Sequence, residues 1–292
     1  MKLSIESGSI MDRYGTEEGA RLIKAAGFEA VDYTGANSTF CYDGGVFALP
    51  EKEFLDYFEK EGRKIEATGL ELGQMHCPAN SPPDRITPEQ LTYFTAAVKR
   101  SLRAAAVMGI PIAVVHPVIP VGWQENAQIS YDITDRLCFE YAELAEQLGI
   151  TVALENMPGD DTNVPYSYDA QFLNLLQKLK SPSFGICLDT GHANWALPKG
   201  KLPDMARTLV PHLACVHLHD NGGTWDNHFT PFGGTIDWNA LCVALGEGGY
   251  SGNINLEVHP AHGASDGLFF KTLEYQCAVA AELRDKIIAA QK

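Results

Sequence analysis

Eight side chains that can ligate a metal ion or carry a proton stand at or just past the ends of six short apolar runs. GQMHCP carries His76, IAVVHP carries His116 and TVALEN carries Glu155. FGICLDTGH supplies Asp189 and His192, CVHLHD supplies His217 and His219, and INLEVHP supplies Glu257. At the same ends of parallel strands such groups converge, because neighbouring strands lie under about 5 Å apart. Glu155, Asp189, Glu257 and a histidine of CVHLHD then form an oxygen-rich, hard set for one divalent ion. Mn²⁺, Mg²⁺ or Co²⁺ suits that set, and Zn²⁺ is tolerated. His217 and His219 share one side of their strand; His217 is read as the ligand and His219 as pocket wall or support.

An ion holding adjacent carbonyl and hydroxyl oxygens of a sugar acidifies the carbon-bound hydrogen and stabilises an enediolate. Glu155 and Glu257 reach it from different strands, so one can remove a proton and the other return it. Return to the opposite face of the same carbon is epimerisation, and return to the next carbon is aldose–ketose isomerisation. Loss of a β-hydroxyl is dehydration. His192, His219, His116, His76 and His228 are the candidate substrate contacts, with Asp226 beside His228 in a Gly/Asn-rich loop. Trp123, Trp195 and Trp225 could stack on the apolar face of a sugar ring.

The elements that must position these groups alternate. Val/Ile-rich runs predict strands at about 2–6, 29–34, 71–76, 111–116, 151–156, 184–189, 213–219 and 253–258. Between and after them, apolar residues three and four apart predict helices at about 16–26, 51–68, 88–108, 131–148, 168–179, 203–209, 237–247 and 266–290. Thr87 before Pro88 reads as a helix cap, as does Asp237. Eight βα units without a linker predict an α/β fold, a single-domain (β/α)₈ TIM barrel over 1–292, with every polar ending on its C-terminal face. A doubly wound sheet would want a glycine-rich first turn, and SGSIMDRYG is not one.

The 292 residues, 45% hydrophobic, suffice for one barrel core. The net charge of −15 disfavours polyphosphates and anionic membranes. Seven irregularly spaced cysteines without a CxxC fit a reducing cytosol. No apolar stretch has the length of a signal peptide or membrane span, so a cytoplasmic protein with no membrane partner is expected.

The pieces AAGFEAVDY, HP after strand four, LEN, LDTGH, His217–Asp220 as H-x-x-D, PFGGTIDW and LEVHP resemble the sugar isomerase/epimerase-like family of xylose-isomerase-like barrels. The resemblance covers essentially the whole chain. It implies a single divalent ion held by Glu155, Asp189, His217 and Glu257, substrate contact by His192, and acid–base work by the two glutamates. The choice of His217 leans on it, because the family's histidine ligand is followed three residues later by an acid. A homo-oligomer is plausible for the family.

The same superfamily includes endonuclease-IV-type AP endonucleases with a trinuclear zinc site. His76, His116, Glu155, Asp189, His192, His217, Asp226, His228 and Glu257 are plausible counterparts for nearly all those ligands. Against that alternative, 217–226 is short for that family. Loops 117–130, 157–167, 220–236 and 259–265 also hold no Lys or Arg, so a nucleic-acid partner is not expected. Only Arg85, Lys199 and Lys201 offer cations in the later loops. A phosphorylated sugar would usually meet an arginine clamp, so the expected substrate is an unphosphorylated keto-sugar or cyclitol. The remaining alternatives are an inosose-type dehydratase on the same site and a barrel that only binds its sugar.

Overall fold

The computed structural model describes residues 1–35, 45–79, 86–159, 164–261 and 263–291. Arg85, His262 and Cys41 lie outside the described residues. Eight parallel strands run β1 (Leu3–Glu6), β2 (Ala30–Tyr33), β3 (Glu71–His76), β4 (Ile112–Val115), β5 (Thr151–Glu155), β6 (Phe184–Asp189), β7 (Leu213–His217) and β8 (Ile254–Leu256). They form one sheet in the order β7-β6-β5-β4-β3-β2-β1-β8. The Leu218–Leu256 bridge joins its ends: Leu218 N–H donates to Asn255 O at 2.9 Å, and Glu257 N–H to Leu218 O at 3.2 Å. The result is the predicted barrel.

Strand alternation explains its two cores. Outward-facing Ile5, Val31, Leu154 and Leu188 pack with the helices into the main apolar cluster. Inward-facing Val114, Ala153, Cys187 and Cys215 form a small separate plug. Above this plug every strand turns polar. The six described free cysteines are all buried.

The main helices are α2 (Thr16–Ala25), α3 (Glu51–Glu66), α4 (Pro88–Met108), α5 (Gln128–Leu148), α6 (Asp169–Leu179), α8 (Leu202–Leu209), α9 (Trp238–Glu247) and α10 (Asp266–Ala290). Two short helices were not legible as periodic patterns: α1 (Gly8–Tyr14) and α7 (Thr190–Ala196). Each has seven residues and is set by what precedes it rather than by an apolar stripe. α5 also begins earlier than periodicity suggests, and β7 ends at His217 because the chain there leaves the regular ladder for the β8 bridge.

Thr87 caps α4 in a capping box with Gln90, and Asp237 caps α9 through Ala240 N–H. Thr87→Ala is expected to destabilise by about 1 kcal/mol, read as a small drop in melting temperature with activity unchanged.

Candidate active site

Short polar clamps place the side chains. Asn156, from LEN, accepts Asp189 N–H at 2.8 Å and donates to Asp189 O at 2.9 Å, locking the ends of β5 and β6 together. Asp189 caps α7 by accepting His192 N–H at 2.6 Å, which fixes His192 over the barrel mouth. In LDTGH the glycine is obligatory: a Cβ at Gly191 would lie 1.9 Å from His219 Cε1. Asp220 accepts from Trp238 Nε1 at 2.8 Å, Asn221 N at 2.9 Å and Ile236 N at 3.2 Å. The acid of H-x-x-D therefore organises the following loop.

The centre is Glu155, 1% exposed. Its Oε2 lies 3.4 Å from His76 Nε2, 3.2 Å from His116 Nε2 and 3.2 Å from His217 Nδ1. Its Oε1 lies 3.3 Å from His192 Nδ1. Glu257 Oε2 reaches His217 Nδ1 at 3.1 Å, and His217 Nε2 stands 3.0 Å from Asp32 Oδ2. His219 Nε2 is 3.0 Å from both Asp189 carboxylate oxygens. Asp226 Oδ2 meets His192 Nε2 at 3.2 Å and His228 Nε2 at 3.1 Å. All eight strand-end candidates thus converge, and Asp226 and His228 join them from the loop after β7.

The donor set fits metal ions on two counts. Glu155 Oε2, His217 Nδ1 and Glu257 Oε2 are buried without any hydrogen-bond partner. Such orphans demand a ligand the protein itself does not supply. Second, His76, His192 and His228 each donate Nδ1–H to a main-chain carbonyl: Cys77 at 2.7 Å, Asn156 at 2.8 Å and Glu257 at 2.9 Å. That bond selects the tautomer and turns Nε2 inward, the usual preparation of a metal-binding imidazole. Ligand atoms around an ion with bonds of 2.0–2.2 Å stand about 3.3–3.6 Å apart. The separations around Glu155 approach that range. Among the described residues, His76–His116–Glu155, His76–His217–Glu257 and Asp189–His192–His219 are groups that could hold an ion.

Electrostatics agree. Burial alone would raise the Glu155 and Glu257 carboxyls, but the surrounding imidazoles, His217 foremost, hold both well below the usual carboxylate range. Burial opposes charge on His228, yet the Asp226 contact and the Glu257 and Asp226 charges push it up to about 10. A histidine raised in the folded state stabilises fully below its unfolded pKa of about 6.5, and that contribution fades as pH rises through the folded value. Metal-free protein is therefore expected to lose melting temperature between pH 6.5 and pH 10. Asp226→Asn should flatten that slope in thermal melts.

Glu6 and Asp32 also line the site and were overlooked in the sequence. Their strands carry SIE and AVD, the same apolar-run-then-acid signal as the other six. Burial, reinforced by Glu257 and Asp32 against the Thr34 and Gly8 bonds, raises the Glu6 carboxyl to about 7. Trp123 is buried at 5% exposure, while Trp195 stacks obliquely on exposed Trp225 with centroids 5.7 Å apart. No helix among the described residues is long and apolar enough to cross a membrane.

This eight-stranded barrel, with its ionisable mouth, belongs to the xylose isomerase-like TIM barrel family, whose model matches residues 20–273. The chain is similar to an uncharacterized protein of Methanocaldococcus jannaschii, 29% identical over 63% of each chain. A probable endonuclease 4 of Mycoplasma mobile is 27% identical over 36% of each chain. The chain spans 63% and 51% of the length of the first two curated relatives it matches. In fold it is similar to a D-tagatose 3-epimerase-like protein, with 23% identity, TM-score 0.72, and 98% of this chain and 100% of that one covered. It is also similar to a D-psicose 3-epimerase crystallised in the presence of D-fructose, with 17% identity, TM-score 0.72, and 97% and 99% covered.

Proposed function

We propose that this protein is a divalent-metal-dependent isomerase or epimerase that moves a proton next to the carbonyl of an unphosphorylated keto-sugar or cyclitol. One observation carries the reading: Glu155 Oε2 and Glu257 Oε2, from different strand ends, both approach His217 Nδ1 and none of the three atoms has a hydrogen-bond partner. Glu155, Asp189, His217 and Glu257 would hold one Mn²⁺, Mg²⁺, Co²⁺ or Zn²⁺, which when bound supplies Lewis acidity to a carbonyl oxygen. One glutamate removes the carbon-bound proton and the other returns it. His192, fixed by Asn156 and Asp226, and His219, packed on Gly191, orient hydroxyls. His76 and His116 close the β3–β4 side and keep Glu155 ionised. The loops after β4, β5, β7 and β8, which hold no Lys or Arg, favour a neutral substrate, and the fold shared with sugar epimerases supports the class.

The test is incubation of metal-loaded protein with ketohexoses and cyclitol ketones in D₂O. Deuterium should enter the substrate at carbon. A panel with no wash-in, wild type and Glu257→Gln alike, would sink the proposal; an unsaturated product would favour the dehydratase.

A second reading, hydrolysis of a phosphodiester by a multi-zinc site, is favoured by one geometric fact. His76 and His116 present their Nε2 atoms 3.1 Å apart beside Glu155, as two ligands of an additional ion would. It predicts about three zinc ions per chain by elemental analysis and nicking of abasic-site DNA; one ion and no nicking rejects it.

A further inference from the structure

The end of β1 carries a carboxylate that the proposed proton transfer leaves unused. Leu3 and Ile5 face the apolar core, so Ser4 and Glu6 face the barrel interior. Glu6 pairs in register with Asp32 on β2, and Ile5 pairs with Leu256 on β8. Glu6 therefore stands at the same height as Glu257, on the adjacent strand.

Its two oxygens are treated differently. Oε1 accepts from Thr34 Oγ1 at 2.5 Å and from Gly8 N–H at 2.6 Å. A Cβ on Gly8 would come within 2.6 Å of that oxygen and 2.4 Å of Thr34 Oγ1, so the anchor needs glycine there. Oε2 is buried with no partner, in a residue only 7% exposed. Asp32 repeats the pattern: Oδ2 accepts from Gln74 at 2.9 Å and Asn255 at 3.0 Å, while Oδ1 is unpartnered. A desolvated carboxylate oxygen without a donor is unfavourable unless a bound molecule supplies one. Asp32 and Glu257 form ion pairs with His217. The β2–β1–β8 wall thus offers acceptors to hydroxyls and repels phosphate.

We propose that Glu6 is a specificity-determining residue: its Oε2 takes a hydroxyl of a neutral polyhydroxylated substrate lying against Glu257, and the wall it completes rejects the phosphorylated counterpart. The assignment rests on the sugar-substrate reading above. Oε1 is tied down by two donors so that Oε2 is presented in one orientation, which is how a site distinguishes a hydroxyl from its absence.

The test is calorimetric titration of Mn²⁺-loaded wild type, Glu6→Gln and Glu6→Ala with D-fructose, D-tagatose and D-fructose 6-phosphate. Metal content and melting temperature are recorded for each protein. Wild type should bind at least one neutral ketose at least tenfold more tightly than the phosphate. Glu6→Ala should weaken that ketose about tenfold and narrow the gap to the phosphate, and Glu6→Gln should weaken it two- to threefold. Metal content should be unchanged. Unaltered ketose affinity in both variants, no ketose binding by wild type, or loss of the ion on replacing Glu6 would each overturn the assignment. Glu6-dependent binding without deuterium wash-in would retire the proton-transfer reading and leave Glu6 in place.

Discussion

Glu257→Gln is expected to lower substrate deuterium wash-in by roughly 10²–10⁴-fold, the range of a lost general acid or base. The amide keeps the size of the side chain and one oxygen donor but cannot hold a transferable proton at neutral pH. Glu257 is suited to the role because its Oε2 sits 3.1 Å from His217 Nδ1 and otherwise has no partner. Glu155→Gln should show a similar loss with a second defect. Glu155 stands within 3.4 Å of four histidines, so neutralising it leaves their charges without a counter-ion. Elemental analysis separates the two effects: Glu257→Gln should retain its ion at saturating metal, whereas Glu155→Gln should retain less. Wash-in by Glu257→Gln within tenfold of wild type would show that the proton travels by another group.

Removing the ion should have the next largest effect. Chelation is expected to abolish turnover and lower the melting temperature. An ion at a thousandfold excess over its Kd stabilises the folded state by about 4 kcal/mol, worth roughly 8 °C for a domain of this size. His217→Ala should reproduce both losses, since its Nδ1 is the atom on which Glu155 and Glu257 converge. His219→Ala tests the choice between the two histidines, because its Nε2 lies 3.0 Å from both carboxylate oxygens of Asp189; with His217 as the ligand it should retain the ion and lose substrate affinity. The reverse result would exchange the roles of the two histidines. His76→Ala and His116→Ala should keep one equivalent of metal under the single-ion reading; loss of a distinct second equivalent from the wild-type count would support the hydrolase.

The barrel was legible because short, near-continuous apolar runs and longer helical runs alternate eight times, and burial on both faces of a parallel strand requires such runs. β3, β6, α4 and α10 fall where the periodicity puts them. α1 and α7 did not show, because a seven-residue helix held at a strand end, with a side-chain cap only in α7, needs no apolar stripe. Six of the eight ionisable strand ends were legible for the same reason as the strands. Glu6 and Asp32 carried the same signature within β1 and β2, which are no shorter than β4 and β8, so the signal was present and only the register of β1 with β2 and β8 shows that they reach the site.

By itself, then, the sequence determined the barrel, the end of it that carries the chemistry, and the types of group available there. Alternation fixes which side chains point inward, and parallel order puts the strand ends on one face. Only the tertiary structure decided which of those groups meet. Strand stagger, the Asn156 clamp and the Asp189 cap set distances that no spacing along the chain encodes. They bring Asp226 and His228 in from a loop, join His76 and His116 to Glu155, and set Glu6 beside Glu257 through the pairing of β1 with β8, more than 240 residues apart.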